Sequence, residues 1–87
     1  MRRRLGFRPD VLYFKPRGVP LWRLEEVVLS GEEVEAIKLS YVDGLEQATA
    51  AARLGISQPT YSRALAEACR KAAEAIVRGR ALRIERL

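Results

Sequence analysis

A chain of 87 residues, 48% apolar and 31% charged, suits one soluble domain rather than a disordered tail. The net charge of +5 is unevenly spread: residues 1–23 hold seven Arg or Lys against one Asp, residues 24–46 seven Asp or Glu against one Lys, and residues 47–87 eight Arg or Lys against three Glu. Basic blocks of this kind are the footprint of a polyanion partner. One cysteine and no histidine leave no intramolecular disulfide and no zinc cluster, and nothing approaches the roughly 18 apolar residues of a membrane span or the apolar run of a signal peptide, so the expected compartment is the cytoplasm.

In chain order, "MRRRLGFRPD" reads as a flexible basic arm over residues 1–10, followed by a single domain over 11–87. "VLYFK" at 11–15 is β-branched and aromatic and bounded by Asp10 and Pro16, which predicts a short strand. "PRGVP" is a loop, and Pro20 can open a short helix in which Leu21, Leu24 and Val28 share one face. Ser30 and Glu33 form an S-x-x-E capping box that starts a helix over 30–43, with Val34, Ile37 and Tyr41 as its apolar stripe and Gly44 as its left-handed cap. A short alanine-rich helix follows at about 46–53. "LGIS" breaks it: Gly55 accepts the positive φ that a sharp turn needs, and Ser57 caps the next helix with Pro59 in its first turn. Tyr61, Ala64, Leu65, Ala68, Ala72 and Ile76 then keep a helical stripe for some five turns up to Gly79, with Cys69 as a packing residue. "ALRIE" at 81–85 alternates and reads as a strand. Two short terminal strands invite pairing within a monomer or between subunits, because an isolated two-stranded ribbon is marginal in water.

Segment 47–65 has the features of a helix-turn-helix. Two helices joined by a very short turn cross closely, so the crossing needs a small residue, here Ala51, and the turn needs glycine. Leu54 and Ile56 flank the turn, and Tyr61, Ala64 and Leu65 anchor the second helix. That leaves Gln58, Pro59, Thr60, Ser62, Arg63 and Glu67 on or near the open face. Recognition helices bring their N-terminal residues to base edges in the major groove. Arg63 has the fork for guanine and Gln58 the amide for adenine; Thr60 and Ser62 can meet base or phosphate, and Ser57 with the free N–H groups of the helix start can hold a phosphate. Arg70 and Lys71 suit backbone contact, and Arg2, Arg3 and Arg4 suit a minor-groove arm or a basic tail of non-specific affinity.

With these residues in view, the chain resembles a small prokaryotic family of predicted DNA-binding proteins catalogued as domain of unknown function 134. The resemblance rests on "YFKPRGVPL" (13–21), "LEEVVLSGEEVEAIKL" (24–39), "DGLEQATAAARLGISQPTYSRAL" (43–65) and "GRALRIE" (79–85), nearly the whole chain. Residues 30–77 are also similar to region 4 of bacterial sigma factors. The resemblance implies a mainly α, sigma-region-4-like domain of three to four helices with short terminal strands, a helix-turn-helix core at 30–78, and a role in transcriptional regulation. Gln58 stands where an arginine is expected in most relatives, and Glu46 replaces a serine or threonine cap.

Sequence-specific binding of double-stranded DNA is thus the expected function, with a homodimer through the terminal strands as a further expectation. The alternative is a protein-interaction module that presents the acidic block at 25–46 to a basic partner. An enzyme is not expected: there is no histidine base, no metal cluster, no Gly-rich phosphate loop and no cofactor motif, and Glu32 and Glu33 are accounted for by capping.

Overall fold

The computed structural model describes residues 11–85, so the arm at 1–10, with Arg2, Arg3 and Arg4, lies outside the described residues. Strand β1 (Val11–Phe14) leads through the proline-rich loop and one 3-10 turn (Leu21–Arg23) to β2 (Glu26–Leu29). Helix α1 (Gly31–Ile37) runs on as a π-helical turn (Lys38–Val42), followed by α2 (Gln47–Leu54), α3 (Gln58–Arg78) and β3 (Ala81–Glu85). The fold is mainly helical, three helices with a small sheet.

The helix boundaries follow from local chemistry. Ser30 Oγ accepts from the Glu33 N–H at 3.1 Å while the Glu33 carboxylate accepts from the Ser30 N–H at 3.0 Å, so the capping box is complete. Glu46, as expected, supplies no side-chain cap to α2. Gly55, at φ 72°, ends α2, and the next N–H, that of Ile56, donates back to the Ala51 carbonyl at 3.1 Å. Ser57 caps α3, and Pro59 sits in the first turn, where its missing N–H costs no hydrogen bond.

The terminal strands pair with each other within the chain. The sheet order is β1-β3-β2, with β3 antiparallel to β1 and parallel to β2. The register aligns Leu12, Ile84 and Leu29 in one row of side chains and Phe14, Leu82 and Val27 in the next on the same face. Because β3 is central, neither of its edges is open to a second subunit; β1 and β2 are the edge strands.

Three expectations are corrected. The helix expected from Pro20 through Val28 is a three-residue 3-10 turn followed by strand β2. The 3.6-residue spacing of Leu21, Leu24 and Val28 concealed a β-branched pair, Val27–Val28, whose partner strand lies more than fifty residues away in sequence. The α1 stripe also fails at its end: Tyr41 is 68% exposed, and its neighbour Val42 76%. The π turn is wider than an α turn and resets the helical phase, turning Leu39 inward and setting the Lys38 ammonium 2.8 Å from the Asp43 carboxylate, five residues on. Finally, Ile76 is 79% exposed; Tyr61, Ala68 and Ala75, seven residues apart, are the buried line of α3.

The core has two connected parts. Ala36, Leu39, Ala50, Ala51, Tyr61 and Leu65 close the three helices together. Leu29, Ala68 and Ile84 join α3 to the sheet, and Ile37 packs against both groups. Buried alanines on α1, α2 and α3 let the helices approach closely, as the alanine-rich stretch predicts, although Ala48 and Ala52 face solvent.

Candidate nucleic-acid interface

The three-residue turn Gly55, Ile56 and Ser57 sets α3 across α2, and the inner face of α3 is fixed by Tyr61. Its side chain is fully buried; its hydroxyl donates to the Ala36 carbonyl at 2.7 Å and lies 2.6 Å from Ser40 Oγ, which is then the donor of that second bond. A ring so held leaves α3 no freedom to roll, so the opposite side of its first two turns is a defined surface.

On that surface Gln58, Pro59, Thr60 and Arg63 are all exposed. Ser57 Oγ accepts from the Thr60 N–H at 3.3 Å and donates to Thr60 Oγ1 at 2.9 Å. Arg63 makes only a long contact, 3.5 Å, to Thr60 Oγ1 and has no carboxylate partner among the described residues. The N–H of Tyr61 returns to the Ser57 carbonyl, Thr60 is capped and Pro59 has no N–H, which leaves the Gln58 N–H as the open donor of this helix start.

The other expected site residues separate from this group. Ser62 is half-buried and donates to the Gln47 side-chain carbonyl, so it ties α3 to α2. Arg70 is held by two carboxylates: it makes a two-pronged contact with Glu67 at 2.8 and 3.0 Å and another with Glu74 at 3.0 Å. These contacts raise the Arg70 pKa and depress that of the Glu67 carboxyl, the Arg70 hydrogen bond being the largest cause in the latter. Lys71 points to α1, where its ammonium lies 3.1 Å from both oxygens of Glu33, the capping-box residue. Residues 57, 58, 59, 60 and 63 therefore come together, Ser62 borders them, and Arg70 and Lys71 are engaged within the fold.

Sequence reasoning passed over Arg53. It is exposed in the last turn of α2, it makes no ion pair among the described residues, and its charge acts against that of Lys38. Its place directly before the turn, in a helix without other charges, was the available signal. No group of three His, Cys, Asp or Glu among the described residues is arranged to hold a metal, and no described helix is long and apolar enough to cross a membrane.

Comparison with known proteins adds the following. The profile of a family described as "Protein of unknown function DUF134" matches residues 1–86. The chain is 55% identical over 83 residues to a UPF0251 protein of Desulforudis audaxviator, covering 95% of this chain and 54% of the relative. It is 55% identical over 83 residues to a UPF0251 protein of Moorella thermoacetica, covering 95% and 56%. It is 52% identical over 83 residues to UPF0251 protein DET0218 of Dehalococcoides mccartyi, covering 95% and 71%. The chain thus spans about half the length of the first two of these relatives. No solved structure matches it.

Proposed function

The chain belongs to the family of unknown function DUF134, a membership that fixes no activity, and from the geometry of α2, the turn and α3 we propose that it is a sequence-specific binder of double-stranded DNA that regulates transcription in the cytoplasm. In this reading α2 and α3 are a helix-turn-helix akin to that of sigma region 4, and the start of α3 enters the major groove. Arg63 and Gln58 read base edges; Ser57, Thr60 and Arg53 meet phosphates. The protein acts by binding and carries no catalysis.

The observation that carries the reading is the exposed group Gln58, Pro59, Thr60 and Arg63 on a helix start whose opposite face is locked by Tyr61. An arginine without a carboxylate partner among the described residues has its guanidinium fork available for a guanine. The alternative, an acidic docking face at 25–46, is weakened by the pairing of four of its seven carboxylates within the fold. Glu25 and Glu26 pair with Arg80 and Arg83 at 3.1 and 3.0 Å, Glu33 pairs with Lys71, and Asp43 with Lys38.

The test is fluorescence anisotropy with duplexes selected from a random pool. Affinity falls as salt rises, with a log–log slope of about −0.9 per phosphate contact. Arg63→Ala costs about 1–3 kcal/mol on the selected site and relaxes its sequence preference. Unchanged affinity and preference in Arg63→Ala would remove the reading face from the proposal.

A further inference from the structure

The C-terminal half of α3 carries an apolar surface that stays exposed among the described residues. Val77 and Ile76 are 81% and 79% exposed, and Ala66 and Ala73 are exposed on the same side of the helix. Ile76 also borders a groove between the end of α3 and the sheet, lined by Phe14, Pro16 and Leu82; Phe14 is itself 59% exposed. Exposed large apolar side chains scattered singly are ordinary, but Ile76 and Phe14 beside one groove, with Val77 on the adjoining face of the helix, call for a partner.

The charges beside this surface say which partner. At 100° per residue, Ala66, Ala73 and Val77 fall within a narrow arc, and Glu67, Arg70, Glu74 and Arg78 run along one flank of it. Their signs alternate. In an antiparallel pair of identical helices related by a two-fold axis, each flank meets the same flank of the partner, reversed in direction. With the axis between Ala72 and Ala73, Glu67 faces Arg78 of the second copy and Arg70 faces Glu74 of the second copy. A parallel pair would instead set this row against the other flank, where Cys69, Ala72 and Ile76 offer no charge. Arg78 makes no ion pair among the described residues, so it has a carboxylate to gain.

We propose that the C-terminal half of α3 is the interface of a homodimer in which two copies pack α3 antiparallel about an axis near Ala73. Val77 and Ala73 form the seam, Ile76 with the Phe14 groove lies on one side, and the alternating charges lie on the other. The surface is independent of the DNA-reading face, which occupies the other end of the same helix.

Sedimentation equilibrium of the full chain across a concentration series tests this. The wild type should show twice the 9.8 kDa of a single chain. Val77→Glu, which buries an unpaired charge in the seam, should raise the dimer dissociation constant roughly tenfold or more, and Ile76→Glu should act in the same direction. Arg78→Glu and Glu67→Arg each place like charges across the axis and weaken the dimer. The variant carrying both changes restores opposite signs and recovers it. Residues 67 and 78 lie about 16 Å apart along one helix, so that recovery cannot arise within a chain. All four positions are exposed, and circular dichroism melting checks that each variant folds. A chain that stays monomeric at every concentration, a dimer indifferent to Val77→Glu, or a charge swap without recovery would each overturn the proposal.

Discussion

Tyr61 settles the position of α3 through one hydroxyl. Two hydrogen bonds, to Ala36 and Ser40, converge on it in a fully buried site, so its removal leaves the Ser40 hydroxyl without that partner. Tyr61→Phe should lower unfolding free energy by about 1–3 kcal/mol in urea denaturation, the range for a lost buried hydrogen bond. It should also blunt any property that needs α3 held against α1. Glu67 behaves differently, because it lies at the surface and its partner acts on its ionisation more than on the fold. The Arg70 hydrogen bond holds its carboxyl below the ordinary glutamate range. A carboxyl whose folded pKa is depressed stabilises the fold above the unfolded value and loses that contribution as pH falls through the folded one. The contribution is therefore intact at neutral pH and fades only as pH falls into and below the ordinary glutamate range. Carboxyl-carbon NMR titration should find Glu67 below the ordinary range in the wild type and back within it in Arg70→Ala.

At the level of elements, what the sequence made legible is what adjacent residues decide. The capping box at Ser30, the turn glycine Gly55 and the cap at Ser57 are each complete within three or four positions, and each appears in the fold as expected. Strand β2 was not legible, because its identity depends on β3, its parallel partner at the far end of the chain. The π turn was hidden for a related reason: the pattern from Val34 to Tyr41 satisfies a regular helix, and only the demand of Tyr61 for Ser40 and of the core for Leu39 reveals the shift. Among the expected site residues, Gln58 to Thr60 and Arg63 were readable from helix phase. Lys71 was misplaced by charge alone, since its partner Glu33 lies 38 residues away. That pair has a consequence for α1. Glu33 accepts from the Ser30 N–H and from the Lys71 ammonium together, so one side chain both caps α1 and ties it to α3. Glu33→Ala should cost about 2 kcal/mol in denaturant unfolding, while Glu33→Gln, which keeps an acceptor for the cap, should cost less.

For the whole molecule, the three charge blocks resolve into a fold that neutralises part of itself. Carboxylates of the middle block meet Lys71, Arg80 and Arg83 of the last, so the basic groups of the last block without a carboxylate partner among the described residues include Arg53 and Arg63 beside the turn and Arg78 near the end of α3. The first two lie where the proposed DNA face is, and the third where the proposed dimer is. Joined, the two proposals fix a distance. With the axis between Ala72 and Ala73, where Glu67 meets Arg78, Thr60 of each copy lies about 12.5 residues from it, and a rise of 1.5 Å per residue separates the two reading turns by about 37.5 Å along the pair. One turn of B-DNA separates half-sites by about 34–36 Å. Sites selected by the wild type should therefore be inverted repeats with half-site centres about 10–11 base pairs apart. Val77→Glu should select a single half-site and bind it with the sequence preference unchanged, because Arg63 and Gln58 are untouched. Inserting five base pairs between the half-sites rotates one to the opposite face of the duplex. It should abolish the advantage of the wild type over Val77→Glu while leaving the variant's own affinity as it was.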